Sequence, residues 1–236
     1  MKLQKLEELL KNNTYPGRGI VVGKSADGKH AVVAYFIMGR SENSRNRVFE
    51  ETNDGITTKA FDETKLSDPT LIIYRPIRKQ GNTLVVTNGD QTDTVIEGFS
   101  QGKTFQEALR TRTFEPDAPN FTPRISAQVT LGQHFSYEMS LIKSDNGNPK
   151  SVLRYFYEYA QPQNGQGRFL HTYHCNGDPI PSFAGEPHAV EIAGDIERFT
   201  ATLWEHLNAE NKVSLYTACI ELTTGKTQTK IVNKNK

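Results

Sequence analysis

Two apolar runs near the N-terminus set the pattern of the chain. Residues 19–23 (GIVVG) are short, β-branched and bounded by glycines. Residues 31–38 (AVVAYFIM) form a continuous apolar run, too short to span a membrane. Between them residues 25–29 (SADGK) carry an Asp-Gly turn signal. The spacing predicts a β-hairpin whose second strand is buried on both faces. Ahead of it, Leu3, Leu6, Leu9 and Leu10 recur at helical spacing and predict an amphipathic helix over residues 1–11.

Downstream the pattern changes. Residues 49–69 are polar and read as a connection between outer elements. Leu71–Tyr74 reads as a strand ended by Arg75-Pro76, and Asn82–Thr87 as another, followed by a turn at Asn88-Gly89-Asp90. Thr104 to Glu107 (TFQE) is a capping box that opens a helix reaching about Arg112. Prolines at 116, 119 and 123 bar regular helix or central strand from the next stretch. Ile125, Ala127, Val129 and Leu131 then alternate with polar residues, as do Phe135, Tyr137, Met139 and Leu141. A turn at 145–149, a strand at 152–159, a Gly- and Gln-rich loop at 161–167 and a strand at 168–175 complete an expected β-meander. After a second Pro-stiffened loop at 179–187, Ile192, Ile196, Phe199, Leu203 and Leu207 predict a helix over residues 194–208. Val213–Leu222 reads as a long strand able to pair with 227–232, and 233–236 as a polar tail. Many antiparallel strands with few helices make an α+β fold in one domain over residues 1–236, helices covering sheet faces.

Composition narrows the function classes. The 236 residues carry a net charge of +1, which argues against a general nucleic-acid binder. No run has the length of a membrane helix and the N-terminus lacks the apolar core of a signal peptide, so a cytoplasmic protein without membrane partners is expected. Two cysteines, Cys175 and Cys219, fit a reduced compartment. His171, His174 and Cys175 invite a zinc reading, but strand alternation would point His174 away from the other two, so no metal is expected.

Three places gather chemistry. Arg40, Ser41, Asn43, Arg45, Asn46 and Arg47 follow the buried second strand, a placement suited to gripping an anion such as a phosphate. Asn88-Gly89-Asp90 either faces a ligand or simply joins two strands. The loop holding Glu115, Asp117 and Asn120, with Arg124 beyond it, reads equally as a fixed functional loop or as a surface crossover.

Taken together, residues 17–48, 85–94 (VVTNGDQTDT) and 114–125 (FEPDAPNFTPRI) resemble, in order, the archaeal-type IMP cyclohydrolase family. The resemblance implies a four-layer αββα sandwich like that of the N-terminal nucleophile hydrolases. Met1 is followed by Lys2, so no Ser, Thr or Cys is expected to become an N-terminal nucleophile without internal cleavage. The implied reaction closes the purine ring of 5-formamidoimidazole-4-carboxamide ribonucleotide, giving IMP and water in purine biosynthesis. Both reacting groups sit on one ring, so orientation and proton movement suffice and no cofactor is expected. The implied partners are the purine ribonucleotide substrate and product; a homo-oligomer is left open.

Position by position, the resemblance names Arg40 with Ser41, Tyr74, then Asn88, Gly89, Thr92 and Asp93, then Glu115, and finally Asn120, Thr122 and Arg124. In the roles it implies, Arg40 and Arg124, with Arg47 alongside, hold the phosphate and polar groups of the nucleotide. Tyr74 donates a hydrogen bond to the formyl oxygen, Glu115 positions or deprotonates the carboxamide, and Asn88 and Asp93 fix ribose or base. Tyr74, Glu115 and Arg40 are thus the expected catalytic set and the others the substrate-binding set. The sequence departs from the family at Phe36, often Arg there, and at Gln91, often His, and the loop 115–122 is one residue longer. Two other readings compete: an amidohydrolase on a related ribonucleotide or amide, and a purine-nucleotide-binding protein without catalysis.

Overall fold

A computed structural model describes residues 2–66 and 69–235. In chain order it contains α1 (Leu6–Asn12), β1 (Arg18–Lys24), β2 (His30–Met38), α2 (Glu42–Arg45), β3 (Arg47–Thr52), β4 (Gly55–Ala60), β5 (Ile77–Gln80), β6 (Thr83–Thr87), α3 (Gln91–Ser100) and α4 (Phe105–Leu109). β7 (Arg124–Thr130), β8 (Ser136–Asp145), β9 (Asn148–Tyr159), β10 (Gln166–His171), β11 (His188–Glu191), α5 (Ile196–His206), β12 (Lys212–Glu221) and β13 (Thr227–Asn233) follow. The strands form two antiparallel sheets, ordered β11-β10-β1-β2-β12-β13 and β3-β4-β5-β6-β7-β8-β9. The fold is α+β. Met1, where the expected first helix began, and Lys236, the end of the expected tail, lie outside the described residues, as do Ser67 and Asp68 of the expected 49–69 connection.

The apolar run of β2 is explained by burial on both faces. Val33, Tyr35 and Ile37 join a core that also holds Ile125, Met139 and Leu141 of the other sheet. Val32, Ala34, Phe36 and Met38 point the opposite way, into a second core with Leu6 and Leu10 of α1 and Phe199 and Leu203 of α5. A third core sets Val85 and Ile142 against Val95 and Ile96 of α3 and Phe105 and Leu109 of α4. α4 opens on the expected capping box: Thr104 Oγ1 accepts from the Glu107 amide while the Glu107 carboxylate accepts from the Thr104 amide. Asp195 caps α5, whose inward stripe is the expected one.

Three expectations fail, and one helix was not foreseen, for identifiable reasons. Residues 49–69 are not mere connection, because most of β3 and the whole of β4 lie there as a hairpin at the sheet edge. Among the described residues of this stretch only Phe49, Ile56 and Thr58 turn into buried space, so the composition stays polar. Leu71–Tyr74 is not a strand. Its backbone is satisfied by Thr58, whose hydroxyl donates to Ile72 O at 2.7 Å and accepts from the Tyr74 amide at 2.8 Å. The strand expected at 168–175 ends at His171 and pairs with β1, so it leaves the meander for the other sheet. α3 was hidden by β-branched Thr92 and Thr94 and by Gly98. Gly98 is required, since a Cβ there would stand 2.8 Å from the Ala108 Cβ where α3 crosses α4.

Candidate active site

The site is built where β1, the start of β3 and the loop before β7 converge. Gly17 (φ +77°) lets the chain enter β1 past Tyr173; a Cβ there would stand 2.3 Å from Thr172 Oγ1. Arg18 follows at once, and its Nη2 donates to both carboxylate oxygens of Glu115 at 3.2 and 3.0 Å. Glu115 is buried, and its amide donates to Thr122 O, clasping the loop at 2.9 Å. Asp117 braces the same loop by accepting from the Thr122 amide at 2.6 Å, and the Thr122 hydroxyl meets the Tyr173 hydroxyl. Burial pushes the Glu115 carboxyl up, while the Arg18 and Arg124 charges pull it back.

Tyr74 enters from the irregular segment tied to Thr58. Its hydroxyl lies 2.8 Å from that of Tyr35 on β2, both buried. Arg47, at the start of β3, is 2 % exposed. Its Nε donates to Ser44 O at 2.8 Å and its Nη2 to Met38 O at 3.3 Å, while Nη1 is buried without a hydrogen-bond partner. Among the described residues no carboxylate pairs with it, and burial draws its pKa down from the ordinary arginine value. Such a buried, unspent donor is able to donate to an anion.

In front of these groups is a cleft of about 320 Å³, near the lower bound for small-molecule sites. Arg18, Arg40, Ser41, Arg47, Asn120 and Thr122 are in its wall. Arg40 is an exposed rim residue: its Nη1 donates to Asn176 Oδ1 and Gly177 O, each at 2.8 Å, and its guanidinium lies 5.2 Å over the Tyr15 ring. Ser41 caps the short α2. Asn120 accepts from the Ile180 amide at 3.0 Å. A larger cavity, about 560 Å³, lies at the other end of the six-stranded sheet against Asp27, Ile192 and Phe199 and gathers no arginine or tyrosine.

Tyr74 and Glu115 are not among the residues that line the cleft, and the remaining expected site residues also stand outside its wall. Asn88 ties elements together: its Nδ2 donates to Pro123 O at 2.9 Å and its Oδ1 accepts from the Ile125 amide at 2.8 Å. Thr92 shares a hydrogen bond with Thr87 at 2.6 Å, and Asp93 pairs outward with Arg78 at 2.7 Å. Arg124 spends Nη1 on Gln91 Oε1 and Asp90, each at 2.7 Å, leaving its Nε buried and unpartnered. Gly89 presses on this group, for a Cβ there would stand 2.6 Å from Arg124 Nη1. Phe36 packs on Phe169 and is not among the residues that line the cleft. His171 Nδ1–H donates to Tyr173 O at 2.8 Å, and burial pushes its pKa down to about 3. Because β10 ends at His171, strand alternation does not describe His174 or the exposed Cys175.

Sequence reasoning did not name Arg18, Tyr35 or Tyr173 as site residues. The first two stand inside the segment 17–48 on which the resemblance rests, which was the available signal.

A family model described as IMP cyclohydrolase-like protein matches residues 15–226. The chain belongs to that family. It is 30% identical over 165 residues to the IMP cyclohydrolase of Methanococcus aeolicus, covering 68% of this chain and 75% of the relative. It is 29% identical over 163 residues to that of Methanopyrus kandleri, covering 67% and 75%. With that of Methanocaldococcus jannaschii it shares 30% over 164 residues, covering 68% and 74%. As a member of the IMP cyclohydrolase-like family, the chain carries its buried Arg18–Glu115 pair, Tyr35–Tyr74 pair and Arg47 within the matched span.

Proposed function

We propose that the chain is an IMP cyclohydrolase. The observation that carries the reading is the buried carboxylate of Glu115, held by Arg18, with Tyr74 within Coulombic reach of Arg18 and Arg47, the unspent donor of Arg47, and a cleft lined by both arginines. The three cores, one between the sheets and one beneath each helix pair, support a four-layer αββα sandwich of the kind found in N-terminal nucleophile hydrolases. A cytoplasmic location accords with a biosynthetic role.

In this reading Arg40, Ser41 and Arg47 hold the 5′-phosphate and polar groups of the nucleotide along the cleft. The carboxamide nitrogen attacks the formyl carbon, and the oxyanion that develops on the formyl oxygen accepts a hydrogen bond from Tyr74. Glu115 takes the proton released by the carboxamide nitrogen and returns it to the former formyl oxygen, which leaves as water with the proton of the formamido N–H as the ring C=N bond forms. A carboxyl raised by burial is suited to such a base, because its pKa lies nearer the working pH. Arg124, Asn88 and Gly89 keep Glu115 and the strand end in register rather than reaching the nucleotide themselves.

The test is to incubate the purified protein with the formamido substrate and follow IMP. Tyr74→Phe should lower kcat by about a hundredfold, and Glu115→Gln by about a hundred- to ten-thousandfold. Arg40→Ala should chiefly raise KM. Parent-like turnover in both Tyr74→Phe and Glu115→Gln would remove the catalytic assignment. Binding of IMP without cyclisation would favour the binding-protein reading, and release of an amide hydrolysis product the amidohydrolase reading.

A further inference from the structure

We propose that Tyr35 is a positioning residue that fixes the Tyr74 hydroxyl as a hydrogen-bond donor to the ligand. The proposal rests on the reading of Tyr74 given above. The two hydroxyl oxygens are 2.8 Å apart, so one proton lies between them and the other must point elsewhere.

The surroundings decide which proton lies between. Tyr35 is wholly enclosed, 0 % exposed, its ring stacked on Phe49 with centroids 5.6 Å apart. Among the described residues Tyr74 is the hydrogen-bond partner of its hydroxyl. If Tyr35 accepted the bond, its own proton would be buried and unpaired, which native interiors avoid. Tyr74 retains 6 % exposure and lies within Coulombic reach of Arg18 and Arg47, both in the cleft wall. The favourable arrangement therefore has Tyr35 donating to Tyr74. Among the described residues no acceptor is then paired with the Tyr74 proton, which leaves it available to a ligand oxygen. Donation from Tyr35 also polarises the second O–H, so the Tyr74 hydroxyl becomes the stronger donor when charge builds on the formyl oxygen. No proton is transferred between the tyrosines in this scheme; Tyr35 acts only through orientation and polarisation.

The experiment is a double-mutant cycle on the full chain, with kcat and KM measured for the parent, Tyr35→Phe, Tyr74→Phe and the double variant. Tyr35→Phe deletes one oxygen and keeps the ring stacked on Phe49, and binding of IMP with the thermal midpoint reports that each variant is folded. Tyr35→Phe is expected to lower kcat by about tenfold with KM changed by less than about twofold, since the donor remains but is no longer oriented. The double variant should be no slower than Tyr74→Phe, because Tyr35 has nothing left to orient. Parent-like turnover of Tyr35→Phe beside an impaired Tyr74→Phe overturns the proposal and leaves the cyclohydrolase reading standing. So does a loss that multiplies in the double variant, or a rate loss that merely follows a lowered thermal midpoint, since each marks a structural role. If Tyr74→Phe itself turns over like the parent, the assignment of Tyr74 fails and this proposal goes with it.

Discussion

Replacing Arg18 with Met tests whether Glu115 is held as a charged group by its partner. Arg18 and Glu115 are 11% and 2% exposed and meet at 3.0 Å, so water screens the pair little. Removing one partner of a buried pair while leaving the other charge in place costs about 3–5 kcal/mol. Arg124 remains within Coulombic reach of Glu115, which places the expected loss toward the lower end, about 3 kcal/mol. The assay is equilibrium urea unfolding at pH 7 of the parent, Arg18→Met, Glu115→Gln and the double variant. The double variant should recover most of the Arg18→Met loss, because Gln leaves no buried charge to compensate. The pH dependence has a definite sign. A carboxyl whose folded-state pKa is raised binds its proton more readily in the native than in the unfolded state. Its contribution to stability is therefore present below the ordinary value of 4.5 and is lost as pH rises through the raised value. Deleting Arg18 removes an influence that lowers that pKa, so the Arg18→Met deficit should shrink on acidification. A loss below about 1 kcal/mol, or a double variant no more stable than Arg18→Met, would refute the reasoning.

Gly89→Ala should destabilise by about 1–3 kcal/mol and slow turnover, because the new methyl would stand 2.6 Å from Arg124 Nη1 and 2.7 Å from Gln91 Oε1; thermal unfolding and kcat report both, and an unchanged variant would show that Arg124 yields freely. Stability should fall as pH drops from 6.5 toward about 3, the window in which unfolded His171 takes a proton that the native state refuses. The upper limit of that loss is on the order of 4–5 kcal/mol. Its signature is a flatter stability-versus-pH curve in His171→Phe, which keeps a flat ring beside Phe169, and an unaltered slope would exclude this origin.

Much of the fold was legible because burial leaves a local record. The continuous apolar run of β2, the alternation in β7 and β8, the capping box of α4 and the stripe of α5 each state which faces are covered, and the structure covers them. The edge hairpin β3–β4 was illegible because few of its residues turn inward, and α3 because Thr92, Thr94 and Gly98 weaken its helical signal. The site divides along the same line. Short segments announced Arg40, Tyr74, Glu115 and Arg124 as chemistry-bearing, but not that Arg40 stands on the rim while Arg47 is buried behind it.

By itself the sequence determined the faces of its elements and the residue types carried at their ends, since 2- and 3.6-residue periodicities and turn residues act over a few positions. Tertiary structure alone decided which of those residues meet. Arg18 and Glu115 are 97 positions apart and Tyr35 and Tyr74 are 39 apart. Their contacts arise from the stacking of two sheets and the return of a loop across the first strand, and no local pattern records such a meeting. Burial then raises the Glu115 carboxyl while the Arg18 charge pulls it back, a property of the enclosure rather than of either residue.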